Sequence, residues 1–216
     1  MTRATTDPRR SPATPGVRPG SDGRLAGMTL MAGCVLAAIG FGAIGLAVPG
    51  SSNSRYGDPL WQPLYGVLLA GSVLVVLGLP AVLAVHGQAS RRLTLVGYVG
   101  VFAPLVMLNV AETTIEAFVM PYLLHHGGIP AQTPAGLDAF EAVALLLYLV
   151  GSICLAVAVL RARVLPWWVG VALLASLASV ILIHGGAAAF ISDYLVLAAL
   201  FCFGWFAVRP RPVPPS

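Results

Sequence analysis

The chain has 216 residues, of which 58% are hydrophobic and only 9% charged, and its mean hydropathy is +0.89. A water-soluble domain carries roughly a quarter charged residues, so this composition excludes a soluble core and indicates one polytopic helical membrane domain. The net charge of +4 comes from 12 basic residues, all arginine, which flank apolar runs instead of forming a patch with interleaved aromatics; that placement argues against a nucleic-acid partner and leaves the lipid bilayer as the expected one.

Residues 1–24, MTRATTDPRRSPATPGVRPGSDGR, are rich in Pro, Arg, Ser and Thr with almost nothing to bury, and are expected to form a disordered cytoplasmic tail. Arg9-Arg10 is not followed by a hydrophobic pair, and the first apolar run is about twice the length of a signal-peptide core, so it reads as a permanent first helix. Six apolar runs follow near 25–48, 60–85, 93–123, 139–160, 165–184 and 187–208, each long enough to cross about 30 Å of hydrocarbon. Residues 209–216 form a second short tail. The predicted fold is all-α, a transmembrane bundle of six helices.

The loops suggest its orientation. Arg3, Arg9, Arg10, Arg18 and Arg24 precede helix one, Arg91 and Arg92 separate helices two and three, Arg161 and Arg163 separate four and five, and Arg209 and Arg211 follow six. Only Arg55 lies on the opposite side. This asymmetry predicts both termini in the cytoplasm, with a bacterial cytoplasmic membrane as the expected location. Helices one, three and five begin RLAGMTL, RLTLVGY and RVLPWWVG, a threefold rhythm that reads either as an internal repeat or as ordinary positive-inside patterning.

Small residues (Gly40, Gly42 and Gly45, Gly71 and Gly78, and Ala172 to Ser179 in helix five) suit close helix packing. Pro80 and Pro104 should bend helices two and three. Cys34, Cys154 and Cys202 lie in apolar runs, none in a CxxC pair, and read as core residues. Trp167 and Trp168 on the inside, and Trp61 on the outside, read as interfacial belts.

The unusual stretch is 109–126, NVAETTIEAFVMPYLLHH. On a helix turning 100° per residue, Asn109, Glu112, Thr113, Glu116 and Met120 fall within a stripe of about 100°. A charge at mid-membrane costs roughly 2.5–3.5 kcal/mol even on the lenient insertion scale, so this face needs a partner, water, a proton or a metal. Asp193 in helix six, with Ser192 and Tyr194 beside it, and Asp138, Glu141, Tyr148 and Ser152 in helix four stand at similar depth. Of the 8 carboxylates, Asp7 and Asp22 are in the tail, and all the others occupy the external half or its loops. An outward-facing acidic pocket is expected, lined by Glu141, Tyr148 and Asp138, if the helices surround one axis.

Three readings of the glutamates stay open. Glu112, Glu116, Asp193 and Asn109 can bind a proton or cation. Glu112 and Glu116, with His184 from the end of helix five, can hold a divalent metal, although neither HExxH nor ExxH is present. The acids can also serve only to hydrogen-bond neighbouring helices. His125 and His126 read as solvated loop residues, and His184 as either a helix cap or a member of the site. Paired axial histidines for haem are absent, as are a P-loop, GxSxG and a Rossmann fingerprint. Three functions remain: a small transporter or ion-coupled permease, for which a homo-oligomer is a reasonable expectation; a metal-dependent intramembrane enzyme acting on a lipid or apolar substrate; and a non-catalytic membrane subunit.

The segment LRARVLPWWVGVALLASLAS, residues 160–179, resembles the penultimate helix of uncharacterised six-span bacterial membrane proteins. Arg163, Leu165, Pro166, Trp168 and Gly170 carry the resemblance. It covers one helix of six and implies the architecture without an activity.

Overall fold

A computed structural model describes residues 21–48, 52–86, 91–128, 132, 135–182 and 186–209. Helix one is Ser21–Ala47. Helix two is Trp61–Gly78, continued after Leu79 by Pro80–His86. Helix three starts as Arg91–Pro104, passes through π-helical Leu105–Glu112 and Ile115–Val119, and ends as Met120–His125. Helix four is Ala135–Ala162, helix five Trp167–Leu182 and helix six Gly186–Val208. A single turn, Ser52–Arg55, lies between helices one and two. No strand occurs among the described residues. Residues 21–24, expected in the N-terminal tail, instead make the first turn of helix one; residues 1–20 lie outside the described part.

Five of these helices are long and apolar enough to cross a membrane, and helix five, with 16 residues, is the short one. The surface is as apolar as the interior. Leu25, Leu46, Leu77 and Leu146 are each more than half exposed, while Leu30, Leu200 and Phe203 are fully buried between helices. A shell of that kind has its natural solvent in hydrocarbon, where helices satisfy their own backbone groups.

The six helices close into a ring in chain order. Each packs on its neighbours in sequence, and helix one packs on helix six. Successive helices run antiparallel, so Arg24, Arg92, Arg161, Arg163 and Arg209 gather at one end, the Arg-rich end, and Arg55 lies at the other.

Glycine sets the closest approaches. A Cβ on Gly100 would sit 2.6 Å from the Gly151 Cα, so helices three and four touch backbone to backbone there. Gly71 and Gly78 meet the backbone of Ala37 and Leu30 in the same way, joining helices one and two. Among the described residues no glycine brings helix five this close to helix six, and hydroxyls tie it to its neighbours. Ser192 Oγ donates to Ser176 O at 3.1 Å, and Ser176 Oγ lies 3.2 Å from the Tyr148 hydroxyl of helix four.

The helix ends follow local chemistry. Helix three stops at His126, Gly127 and Gly128; the two glycines have φ of 140° and 90°, and Gly128 N donates back to Leu123 O. Helix four ends at Arg163 in the left-handed region, φ 51°, just before the Pro166 turn.

Candidate functional site

The centre of the ring holds a cavity of about 350 Å³. Five helices line it: Ala37 and Phe41 from one, Ser72 and Val75 from two, Pro104 to Glu112 from three, Leu145 and Tyr148 from four, and Ser192 to Leu197 from six. It lies in the Arg-poor half of the bundle. Below it, toward the Arg-rich end, the bundle is filled by Leu30, Leu79, Val101, Leu155 and Phe203. The walls are apolar apart from a few groups: Glu112, Asp193, Asn109, Tyr148, Ser72 and Ser192.

Helix three explains how the acids come to be there. Pro104 lacks an N–H, so it cannot continue the α ladder, and π-helix begins at the next residue. The second π segment ends against Pro121. Met120 N donates to Ile115 O in the i→i+5 register, and the next donor in that register would be Pro121, which has none. The carbonyl this frees, Glu116 O, is taken by Trp61 Nε1 at 2.8 Å. Thr114 Oγ1 in turn donates to Val110 O at 2.6 Å. Widened turns place side chains differently from an α-helix, and this splits the polar stripe read from the sequence.

Glu112 and Asn109 face the cavity. Thr113 is buried. Glu116 does not line the cavity; its Oε1 accepts the Tyr56 hydroxyl at 3.3 Å. Asp193, from helix six, lines it as well. Tyr148 lines the cavity with its hydroxyl turned to Ser176. Asp138 and Glu141, expected as lining, do neither: both are exposed on helix four, one to three turns nearer the Arg-poor end than the lining pair Leu145 and Tyr148. Glu141 remains close enough for its charge to reach Glu112. His184 lies outside the described residues. Among the described residues, no group of three or more His, Cys, Asp or Glu side chains converges as a metal site.

The cavity opens sideways. Helices three and four touch at Gly100 and Gly151 and part beyond, where Glu112 and Leu145 are at once lining residues and exposed. Ser72, on helix two beside helix three, also lines the cavity. It is 3% exposed and its hydroxyl has no hydrogen-bond partner.

Two residues carry more than the sequence suggested. Trp61, expected in an interfacial belt, is 3% exposed; it stacks on Tyr65 at 4.3 Å and caps the freed carbonyl of helix three. Tyr56, which had no assigned part, packs edge-on against Trp61 at 5.1 Å and bonds Glu116. Tyr56 lies in the loop before helix two, and its phenol is pushed up to about 12, first by burial and then by the charge of Glu116. His125 and His126 are exposed, each donating through Nδ1 to a carbonyl one turn back, Pro121 O and Tyr122 O. With Asp58, Gln62 and Tyr122 they border a shallower depression at the Arg-poor end.

Fold and cavity together define a multi-pass helical membrane protein with a carboxylate-bearing chamber in one half of its bundle. A scan of protein-family profiles, a search of curated proteins and a search of solved structures found no match to this chain.

Proposed function

We propose that the chain is a small ion-coupled permease of a bacterial cytoplasmic membrane, with both termini in the cytoplasm and the chamber facing outward. The observation that carries this reading is the chamber itself. It brings Glu112 and Asp193 from two distant helices to one solute-sized space at membrane depth. A carboxyl group there either holds a proton or meets a cation, because a bare charge in hydrocarbon is costly. Alternation between those two conditions is what couples a solute to a proton gradient. The arginine distribution supports the orientation, and the broken helix three supplies backbone that can change register next to the acids.

The metal-enzyme reading has less support. It needs Glu112 and Glu116 on one side, whereas Glu116 is engaged by Tyr56. The subunit reading leaves the chamber and its unpartnered Ser72 hydroxyl without a purpose.

The test is flux. Purified protein is reconstituted in liposomes with a trapped pH dye, and a panel of small cationic, neutral and anionic solutes is added under an imposed proton gradient. At least one solute should move protons in the parent, and Glu112→Gln and Asp193→Asn should each reduce that rate tenfold or more. A protein that moves no protons with any solute, or whose flux ignores both substitutions, is not this permease.

A further inference from the structure

We propose that the chamber takes an amphiphilic primary amine: an ammonium head held between Glu112 and Asp193, with a compact apolar body. This deepens the permease reading and rests on it for the direction of movement, although not for binding.

Charge comes first. Among the described residues, the lining contains two carboxyl groups and no Arg, Lys or His. An anion would meet repulsion there, and a neutral solute would leave both acids to be neutralised by protons alone. A cation supplies the missing charge.

An acidic pair alone does not define a ligand. The second observation is Ser72, on helix two beside helix three. Its hydroxyl is buried, faces the chamber and has no partner. An unmet buried hydroxyl costs about 1–3 kcal/mol, so the site is complete only when something hydrogen-bonds there. An ammonium with N–H donors does so; a quaternary ammonium does not.

The walls decide what else the ligand carries. Phe41, Val75, Leu105 and Leu197 are among the apolar residues that line the rest of the chamber. A bare hard cation prefers about six oxygen ligands and gains nothing from hydrocarbon walls. The volume, about 350 Å³, sits at the low end of the range of about 300–1,000 Å³ usual for ligand pockets, which limits the body to roughly a single ring or a short chain. The side opening between helices three and four, where Glu112 and Leu145 are both lining and exposed, gives such a ligand a lateral way in.

The experiment is calorimetric titration of the purified full-length protein with 2-phenylethylammonium chloride, beside its neutral analogue 2-phenylethanol and sodium chloride alone. The amine should bind saturably, one per chain, and at least tenfold more tightly than the alcohol, and sodium should not compete at the same concentration. Asp193→Asn and Glu112→Gln should each weaken the amine tenfold or more, and Ser72→Ala about fivefold. Equal binding of the alcohol, displacement by sodium, or an Asp193→Asn protein with unchanged affinity would overturn the proposal. The comparison of amine with alcohol needs no variant, so a substitution that fails to fold leaves it decisive. Because no gradient is involved, amine binding without flux defeats the permease reading alone. Flux of a neutral or anionic solute without amine binding defeats this one alone.

Discussion

Glu112 and Glu116 are four residues apart and have different employment. Glu112 looks into an open chamber toward Asp193; Glu116 is occupied at both its ends, by the Tyr56 hydroxyl on its carboxylate and by Trp61 Nε1 on its carbonyl. The difference predicts different phenotypes. Tyr56→Phe should cost about 0.5–1 kcal/mol, the net value of one ordinary hydrogen bond, read as a small drop in thermal midpoint with solute binding intact. The Tyr56 phenol also makes a pH prediction. Its value rises from 10.0 unfolded to about 12 in the fold, so the fold favours the neutral phenol. That contribution is complete below pH 10 and is lost as pH rises through about 12. An ultraviolet difference titration of parent against Tyr56→Phe should place the missing transition near pH 12. In a Glu116→Gln background it should move down, but not fully to 10, because burial remains the larger cause. A transition near 10 in the parent would show that Tyr56 is not packed as described.

At the scale of elements, the contacts that matter are those where two backbones meet. Gly100→Ala inserts a methyl 2.6 Å from the Gly151 Cα and should destabilise the protein by about 1–3 kcal/mol, as overpacking does. Gly66→Ala is its control: nothing lies within 4 Å of the added methyl, so the change should be neutral or stabilising by up to about 1 kcal/mol. Thermal unfolding in one detergent compares the two directly, and equal effects would contradict the packing of helices three and four. Trp61→Phe leaves Glu116 O without its donor and should cost about 1–3 kcal/mol.

Helix three also shows where sequence reasoning reached its limit. Its existence was legible from the long apolar run near 93–123, within which the polar residues of NVAETTIEAFVMPYLLHH stand out. Its faces were not, because a stripe drawn at 100° per residue assumes an α-helix throughout, and Pro104 and Pro121 divert the ladder to π register around the glutamates. Asp193 and Asn109 were found from polarity and depth alone. Asp138 and Glu141 were polar at nearly the same depth, yet helix four turns them outward. Tyr56 gave no signal, since nothing local reveals a partner 60 residues away.

The whole molecule is a ring of six helices, five of them long enough to span; among the described residues the acids other than Asp22 lie in one half and the arginines other than Arg55 at the other end. The orientation proposed for it predicts a labelling pattern. With a membrane-impermeant maleimide on intact cells, Asp58→Cys should react and Arg163→Cys should not until the membrane is opened. The parent, with Cys34 buried and Cys154 and Cys202 half-buried, sets the background. The reverse pattern would invert the topology and turn the chamber toward the cytoplasm.

One measurement tests the shared chamber most directly: mapping by mass spectrometry the carboxyl groups that an apolar carbodiimide modifies in the folded, reconstituted protein. Such a reagent reaches carboxyl groups through hydrocarbon. One adduct per chain is predicted, divided between Glu112 and Asp193 because a space of about 350 Å³ holds one reagent molecule. It should be lost in the Glu112→Gln, Asp193→Asn double variant and suppressed by 2-phenylethylammonium. Labelling confined to the exposed Asp138 and Glu141, or independent adducts at Glu112 and Asp193 on the same chain, would contradict a single chamber shared by the two acids.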